Sequence, residues 1–215
     1  MTLKTPSLNS GIKMDPAKAC AHLCAQDSAM AELIGRIGPC GLKPHRTKSL
    51  FEALLRSIIY QQLHGKAAAT ILGRVCAVLK PHGGTTPAAV SSVPDEQLRA
   101  AGLSRAKLAA IRDLAAKCTD GTVPAWREAK IMSDDELSSR LTIVRGIGPW
   151  TVHMLLIFHL GRPDVFPTGD FAIRLAFKKL YRKRGEPKLE AMLQQASYWQ
   201  PYRSVASWYL WRSLD

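Results

Sequence analysis

Hydrophobic residues along this chain recur at three- and four-residue intervals, and no segment keeps a period of two between turn residues. Leu50, Phe51, Leu54, Leu55, Ile58 and Ile59 fall on one helical face, with Glu52 and Arg56 on another. The pattern restarts after each polar or Gly/Pro break, which predicts an all-α fold of short helices and short loops. Caps mark the starts. Asp15-Pro16 opens a helix to about Ala25 and Asp27 a second to about Ile34, while Gly35 to Pro44 reads as loop. Thr47 or Ser49 begins the helix that ends in Tyr60-Gln-Gln-Leu-His-Gly65, and Lys66 to Leu79 follows, stopped by Pro81-His-Gly-Gly84. Thr86-Pro87 and Pro94 start two short helices by the same cap-then-proline logic, and Gly102-Leu-Ser104 leads into a helix to about Lys117. Val123-Pro124 restarts a brief run to about Lys130, and Ser133-Asp-Asp-Glu136 is a capping box. Helices are then expected over Pro149 to Leu160, Asp170 to Leu180, Pro187 to Trp199 and Pro201 to Ser213. The first dozen residues, rich in Thr, Ser, Gly and Lys, are expected to fray.

A length of 215 residues is enough for a real core, and 47% apolar composition suits a folded soluble protein. The longest apolar run, about Val152 to Leu160, is too short to span a bilayer. Met1 to Lys18 holds no apolar stretch before a cleavage site, so neither a secretory signal nor a membrane partner is expected. Charge changes the picture. Thirty Lys+Arg against 17 Asp+Glu leave +13, which points to a polyanionic partner, nucleic acid first, although a merely soluble basic protein shares that balance. The five cysteines, Cys20, Cys24, Cys40, Cys76 and Cys118, are scattered and include no C-x-x-C pair. They are expected as buried free thiols in a reducing compartment rather than as metal ligands.

Two stretches carry the chemistry. In Val144-Arg-Gly-Ile-Gly-Pro149, two glycines around one apolar residue allow a tight turn that another backbone can approach closely. Ile147 can tuck between the flanking helices, and the first amides of the Pro149 helix suit a phosphate. An ordinary helix-turn-helix corner with a glycine cap is the plainer alternative. Phe166-Pro-Thr-Gly-Asp170 puts one carboxylate after a turn, at the start of a helix whose dipole favours negative charge. Local sequence leaves Asp170 equally explicable as an N-cap.

Ile143-Val-Arg-Gly-Ile-Gly-Pro-Trp-Thr151 followed by Asp164-Val-Phe-Pro-Thr-Gly-Asp170 resembles the helix-hairpin-helix DNA glycosylases, and among them the AlkA/Mag branch of 3-methyladenine DNA glycosylases. Ser57-Ile-Ile-Tyr-Gln-Gln-Leu63, Leu98-Arg-Ala-Ala-Gly-Leu-Ser-Arg-Ala-Lys107, Trp199-Gln-Pro-Tyr-Arg-Ser204 and Trp211 match in the family's order, so the resemblance covers about Leu50 to Trp211. It implies a compact, two-lobed bundle of short helices containing a helix-hairpin-helix motif, without AlkA's additional β domain. The expected division is 1–46, N-terminal helices packing with the C-terminal ones; 47–130, a helical lobe; and 131–215, the hairpin lobe with Asp170.

The resemblance implies roles residue by residue. Asp170 falls at the catalytic aspartate, where a carboxylate stabilises positive charge on the sugar as the N-glycosidic bond breaks. Val144, Arg145, Gly146, Ile147, Gly148 and Thr151 form the DNA-binding hairpin. Gln62 falls at the plug that fills the gap left by a flipped base, with Leu63 a second wedge and His64 reaching minor-groove atoms or phosphate; a solvated helix end is the alternative. Trp150 and Trp211 match pocket tryptophans, and Phe158 and Phe171 are further candidates, for stacking on a cationic alkylated base. Each aromatic is otherwise a core residue. AlkA's pocket tyrosine is replaced by Met154.

Relatives that also cleave the strand carry a nucleophilic lysine where this chain has Trp150. No cysteine follows Cys118, so no [4Fe-4S] cluster of the endonuclease III or MutY kind is expected. The resemblance allows one structural Na⁺ or K⁺ held by hairpin carbonyls near Thr142, Val144 and Ile147. The implied activity is a monofunctional glycosylase acting as a monomer on duplex DNA with alkylated bases, cytoplasmic in a bacterium or nuclear in a eukaryote. A bifunctional glycosylase/lyase and a non-catalytic DNA-binding module are the alternatives. Lys178-Lys-Leu-Tyr-Arg-Lys-Arg-Gly-Glu-Pro-Lys188 is a dense basic run that either tracks phosphates or is a solvated loop.

Overall fold

A computed structural model describes residues 15–45 and 47–215; the expected fraying of the first dozen residues lies outside them. Among the described residues there are thirteen α-helices, one 3₁₀ turn and no strand, the all-α fold that the patterning predicts. The chain divides into one unit of 1–45 with 156–215 and a second unit of 46–155. The second division therefore falls at 155/156, inside a helix, and not at 130/131. The hairpin groups with the helices before it, and Asp170 with the two N-terminal helices.

The second unit begins with α3 (Leu50–Tyr60), following α1 (Pro16–Gln26) and α2 (Ser28–Ile37) of the first. All six apolar positions named for α3 are buried, and Ser49 caps it by accepting the Glu52 amide at 3.1 Å. Next come α4 (Gly65–Leu79), a 3₁₀ turn at Lys80–His82, α5 (Pro87–Ser92), α6 (Asp95–Ala100) and α7 (Arg105–Thr119). Leu108, Ile111 and Leu114 bury the inner face of α7, which packs against α3 and α5. Then follow α8 (Trp126–Ile131), α9 (Asp134–Leu141) and α10 (Pro149–Phe158). Ser133 caps α9 through the Glu136 amide at 3.2 Å. Pro94 departs from the expected logic: it occupies the cap position of α6 itself, with no side-chain cap, and Asp95 and Glu96 complement the helix dipole.

The first unit holds α1, α2, α11 (Phe171–Leu180), α12 (Leu189–Ser197) and α13 (Arg203–Arg212). Helix α2 runs three residues beyond the predicted Ile34 before Gly38, at φ +87°, ends it. Most of α13 is buried, from Ser204 to Leu210 with only Trp208 half-exposed, and α1, α2 and α11 pack around it. None of the five cysteines is buried as expected: four are half-buried and Cys24 is exposed, all as free thiols.

Asp27 joins these helices. Its amide closes α1 on the Leu23 carbonyl at 3.1 Å, and its Oδ1 caps α2 by accepting the Met30 amide at 3.1 Å. Its Oδ2 accepts the Tyr181 hydroxyl at 2.5 Å, the Trp199 indole at 2.8 Å and the Gln195 amide at 2.9 Å. Burial alone would raise its pKa; the bonds from Tyr181, Trp199, Met30 and Gln195 outweigh that and hold the carboxyl below its ordinary value. Asp27→Asn is expected to cost about 2 kcal/mol at neutral pH, since bonds to a charged acceptor are replaced. The wild-type advantage is full above roughly pH 4 and fades as pH falls through the lowered folded-state pKa. Denaturant unfolding of both proteins at pH 7 and pH 3 tests this, and a gap that widened on acidification would contradict it.

Candidate functional site

In the second unit the site is a hairpin and a turn fastened together. Between α9 and α10 the Val144 amide bonds to Leu141 O at 3.1 Å and the Ile147 amide to Val144 O at 3.0 Å, folding the chain back on itself. Gly146 sits at φ +77°, and a Cβ there would lie 3.3 Å from the Ala110 Cβ, so both conformation and space require glycine. Gly148 is different. Its φ is not in the left-handed region and a Cβ there would meet open space. Val144 and Ile147 are buried, whereas Arg145 is exposed. Thr151, expected among the DNA-facing residues, is only 3% exposed and turns inward.

Asp113 of α7 steadies the hairpin. Its Oδ2 accepts the Arg145 amide at 2.7 Å and its Oδ1 the Lys117 ammonium at 2.5 Å. Burial pushes this carboxyl up, but the Arg145 amide and Lys117 outweigh it and hold its pKa below the ordinary value.

The turn after α3 carries Gln62, Leu63 and His64, the residues expected to act as a wedge. Gln62 is exposed and holds φ +56°, a left-handed conformation uncommon outside glycine. Leu63 and His64 are exposed beside it, and His64 Nδ1 caps α4 by accepting the Lys66 amide at 3.4 Å. Gln61 fastens this turn to the hairpin: its Nε2 donates to Gly146 O at 2.9 Å and to Thr151 Oγ1 at 3.3 Å. Lys107 fastens it from α7, donating to Ile59 O at 2.6 Å and Gln61 O at 2.9 Å. Burial lowers the pKa of that ammonium. Sequence reasoning quoted the motifs containing Gln61 and Lys107 but gave these residues no role; polar groups at the end of an apolar helix were the available signal.

In the first unit the site is Asp170 and the segment that delivers it. Arg203 grips Asp164 with a two-pronged ion pair, Nε to Oδ1 at 2.7 Å and Nη2 to Oδ2 at 2.8 Å. Ser204, fully buried, donates to Arg162 O at 2.7 Å and accepts the Val165 amide at 2.9 Å, and its own amide bonds to Pro163 O at 3.0 Å. Ser207 donates to Arg203 O at 2.8 Å and approaches Val165 O at 3.3 Å. The start of α13 thereby fixes residues 162–165, and five residues later the chain reaches Asp170. None of these supporting residues was assigned from sequence, though Asp164, Arg203 and Ser204 lie in the quoted motifs.

Asp170 is 8% exposed and caps α11, accepting the Ile173 amide on Oδ1 at 2.9 Å. The same oxygen accepts the Trp211 indole N–H at 3.1 Å. The ring of Phe158 lies 5.5 Å from that of Trp211, tilted by 32°. Asp170 is thus an N-cap and, at once, the carboxylate under an aromatic pair. Phe171 is 80% exposed and has no place among the described ring contacts. Trp150, in the first turn of α10, is 46% exposed.

Among the described residues no group of three or more His, Cys, Asp or Glu is placed to hold a metal, and no helix is long and apolar enough to cross a membrane. Of the hairpin carbonyls named for a monovalent cation, that of Val144 already accepts the Ile147 amide.

Residues 55–201 match the family model described as HhH-GPD superfamily base excision DNA repair protein. The chain is 36% identical over 199 residues to DNA-3-methyladenine glycosylase 1 of Schizosaccharomyces pombe, covering 91% of this chain and 86% of that protein. Among solved structures it is similar to the S. pombe 3-methyladenine DNA glycosylase Mag1 in complex with abasic DNA, with a TM-score of 0.79 over 91% of this chain and 96% of that one, at 36% identity. A DNA-3-methyladenine glycosidase from Bacillus halodurans gives a TM-score of 0.79 over 99% of this chain and 91% of that one, at 31% identity.

The two hairpin glycines separate fold from function. Gly146→Ala is expected to destabilise the protein by about 1–2 kcal/mol, and Gly148→Ala by less than about 0.5 kcal/mol. Thermal unfolding of both variants checks this; equal losses would mean that the fold needs both glycines.

Proposed function

Because the chain belongs to the HhH-GPD superfamily of base excision DNA repair proteins, we propose that it is a monofunctional DNA-3-methyladenine glycosylase that excises N3- and N7-alkylated purines from duplex DNA. The observation that carries this reading is Asp170, a nearly buried carboxylate pinned through one oxygen to the Ile173 amide and the Trp211 indole, with Phe158 stacked near that indole. A carboxylate so held does not need to reorganise as charge develops. When the C1′–N bond breaks, its electron pair leaves with the base and neutralises the charge that alkylation placed there. Asp170 stabilises the positive sugar, water adds to C1′, and the water's proton passes to the carboxylate and on to solvent, leaving an abasic site.

The other residues supply grip and selection. The Phe158–Trp211 pair offers electron-rich faces to a cationic purine. Gln62 and Leu63, exposed on a turn that Gln61 and Lys107 hold rigid, fill the space a flipped base leaves. Gly148, which the fold itself does not require, leaves the backbone before α10 open to a DNA phosphate. Trp150 in place of a lysine nucleophile supports hydrolysis without strand cleavage.

Release of 3-methyladenine and 7-methylguanine from methylated duplex DNA is the test. Asp170→Asn, which retains an oxygen for capping, is expected to lower single-turnover release by at least about 10²-fold. Equal release by wild type and variant would end the catalytic assignment of Asp170. Borohydride should trap no covalent adduct with wild-type protein; an adduct would show a lyase instead.

A further inference from the structure

The basic run after α11 is left unused by the proposed reaction, and its structure is not that of an incidental solvated loop. Lys178 and Lys179, in the last turn of α11, complement the helix dipole. Arg182, Lys183, Arg184 and Lys188 lie beyond that turn, where the dipole no longer accounts for them. Lys179, Arg182, Lys183, Arg184 and Lys188 are all exposed, and none has an acidic partner among the described residues. Glu186, the one acid in the run, is engaged with Arg174 at 3.5 Å and Lys178 at 3.7 Å. Glu190, in the first turn of α12, is the next acid along the chain.

Backbone geometry adds an independent observation. The Lys183 amide bonds to Lys178 O at 3.0 Å and the Arg182 amide to Lys179 O at 3.2 Å, closing α11 with a tight reversal whose pivot is Arg182 at φ +50°. Glycine is the ordinary residue at such a pivot, because a side chain there strains the backbone. Among the described residues only Gln62 and Arg182 are non-glycine residues held at positive φ. One carries the side chain that the proposed wedge needs. The other keeps a cation in the middle of a cationic turn at the expense of a better cap.

Position decides what the turn touches. Asp170 caps the N-terminal end of α11, and the turn follows its C-terminal end ten residues on, about 15 Å away along the axis. The turn and the carboxylate therefore lie at opposite ends of α11. We propose that the turn at 179–188 is a second, sequence-independent nucleic-acid site that holds the phosphates of another duplex segment while Asp170 faces the first. The partner is fixed by chemistry: flexible exposed cations, without an aromatic platform in the turn's exposed positions, suit a phosphate backbone rather than bases. Two such sites on one molecule allow direct transfer from one DNA segment to the next without full release. The inference rests on the reading of the chain as a DNA glycosylase.

The test uses the full chain and a triple variant, Arg182→Gly, Lys183→Ser and Arg184→Ser, whose glycine suits the pivot and should raise the melting temperature. Dissociation from a fluorescent duplex bearing an abasic site is followed while unlabelled undamaged duplex is increased. For wild type the dissociation rate should climb with competitor concentration; for the variant it should be flat, with single-turnover base release unchanged. Binding of the second duplex should lose about 3 from its log–log salt slope. A wild-type rate independent of competitor, or a variant that responds as wild type does, overturns the proposal. So does a variant that loses affinity for the first duplex, since the turn then contacts that duplex. Absence of base release by wild type strikes the glycosylase reading alone, because competitor dependence is measured without chemistry.

Discussion

One oxygen of Asp170 accepts two donors, the Ile173 amide and the Trp211 indole, and the remainder of the first unit serves to keep those three groups together. The amide belongs to the first turn of α11, so the carboxylate cannot drift without uncapping its own helix. The indole belongs to the last turn of α13, whose first turn holds residues 162–165 through Arg203, Ser204 and Ser207. The same helix therefore fixes the approach to Asp170 at one end and its side chain at the other. Capping and catalysis are not competing accounts of this residue. Under the proposed function, the cap supplies the rigidity that makes a single carboxylate useful against a developing cation.

The second unit applies the same logic to a different task. The wedge proposed at Gln62 must stand out from the surface and yet not bend, which a loop of exposed side chains does not do unaided. Here the carbonyls at the end of α3 are taken up by Lys107, and the side chain of Gln61 crosses to the hairpin at Gly146 and Thr151. Gln62 is left exposed in a left-handed conformation that its anchored neighbours impose. The anchors all lie on the residues just before it, Ile59 and Gln61.

The helices were legible in the sequence because caps and prolines announce them: Asp15-Pro16, Asp27, Ser49, Ser133 and Asp170 all stand at helix starts. Pro94 was misplaced by one position, since proline is equally at ease just before a helix, where its missing N–H costs nothing. Asp170 and the hairpin glycines stand in local patterns too, but those patterns read equally as a cap and a corner, and the roles expected of them came from the family resemblance. The supports stand in no local pattern. Asp113, Lys107, Gln61 and the Asp164–Arg203 pair act across 32 to 90 residues of sequence, and no local spacing encodes such a bond. The division of the chain was missed on similar grounds, because nothing in the run from Pro149 to Phe158 signals that one helix serves two units. Thr151 was placed in the DNA-binding hairpin from its position in the motif, and its burial against Gln61, 90 residues away, could not be read there.

Asp27 sharpens what is particular about Asp170. Both are aspartates at helix N-termini, both are nearly buried, and both accept a tryptophan indole. Sequence cannot separate them, since each reads as a competent cap. Their surroundings do. Asp27 is closed over by Tyr181, Gln195 and Trp199, three side chains from elements that meet in the interior, and its charge is spent holding them. Asp170 lies between an exposed Gly169 and a Phe171 that stands 80% exposed, with a half-exposed tryptophan as its indole donor. The same arrangement of cap and indole is structural at Asp27 and, under the proposed function, chemical at Asp170, whose neighbours Gly169 and Phe171 are exposed. Asp27 and Asp170 are themselves equally covered, so it is the exposed flanks of Asp170, rather than any difference in the residue or its helix, that support the proposal that it acts on a base.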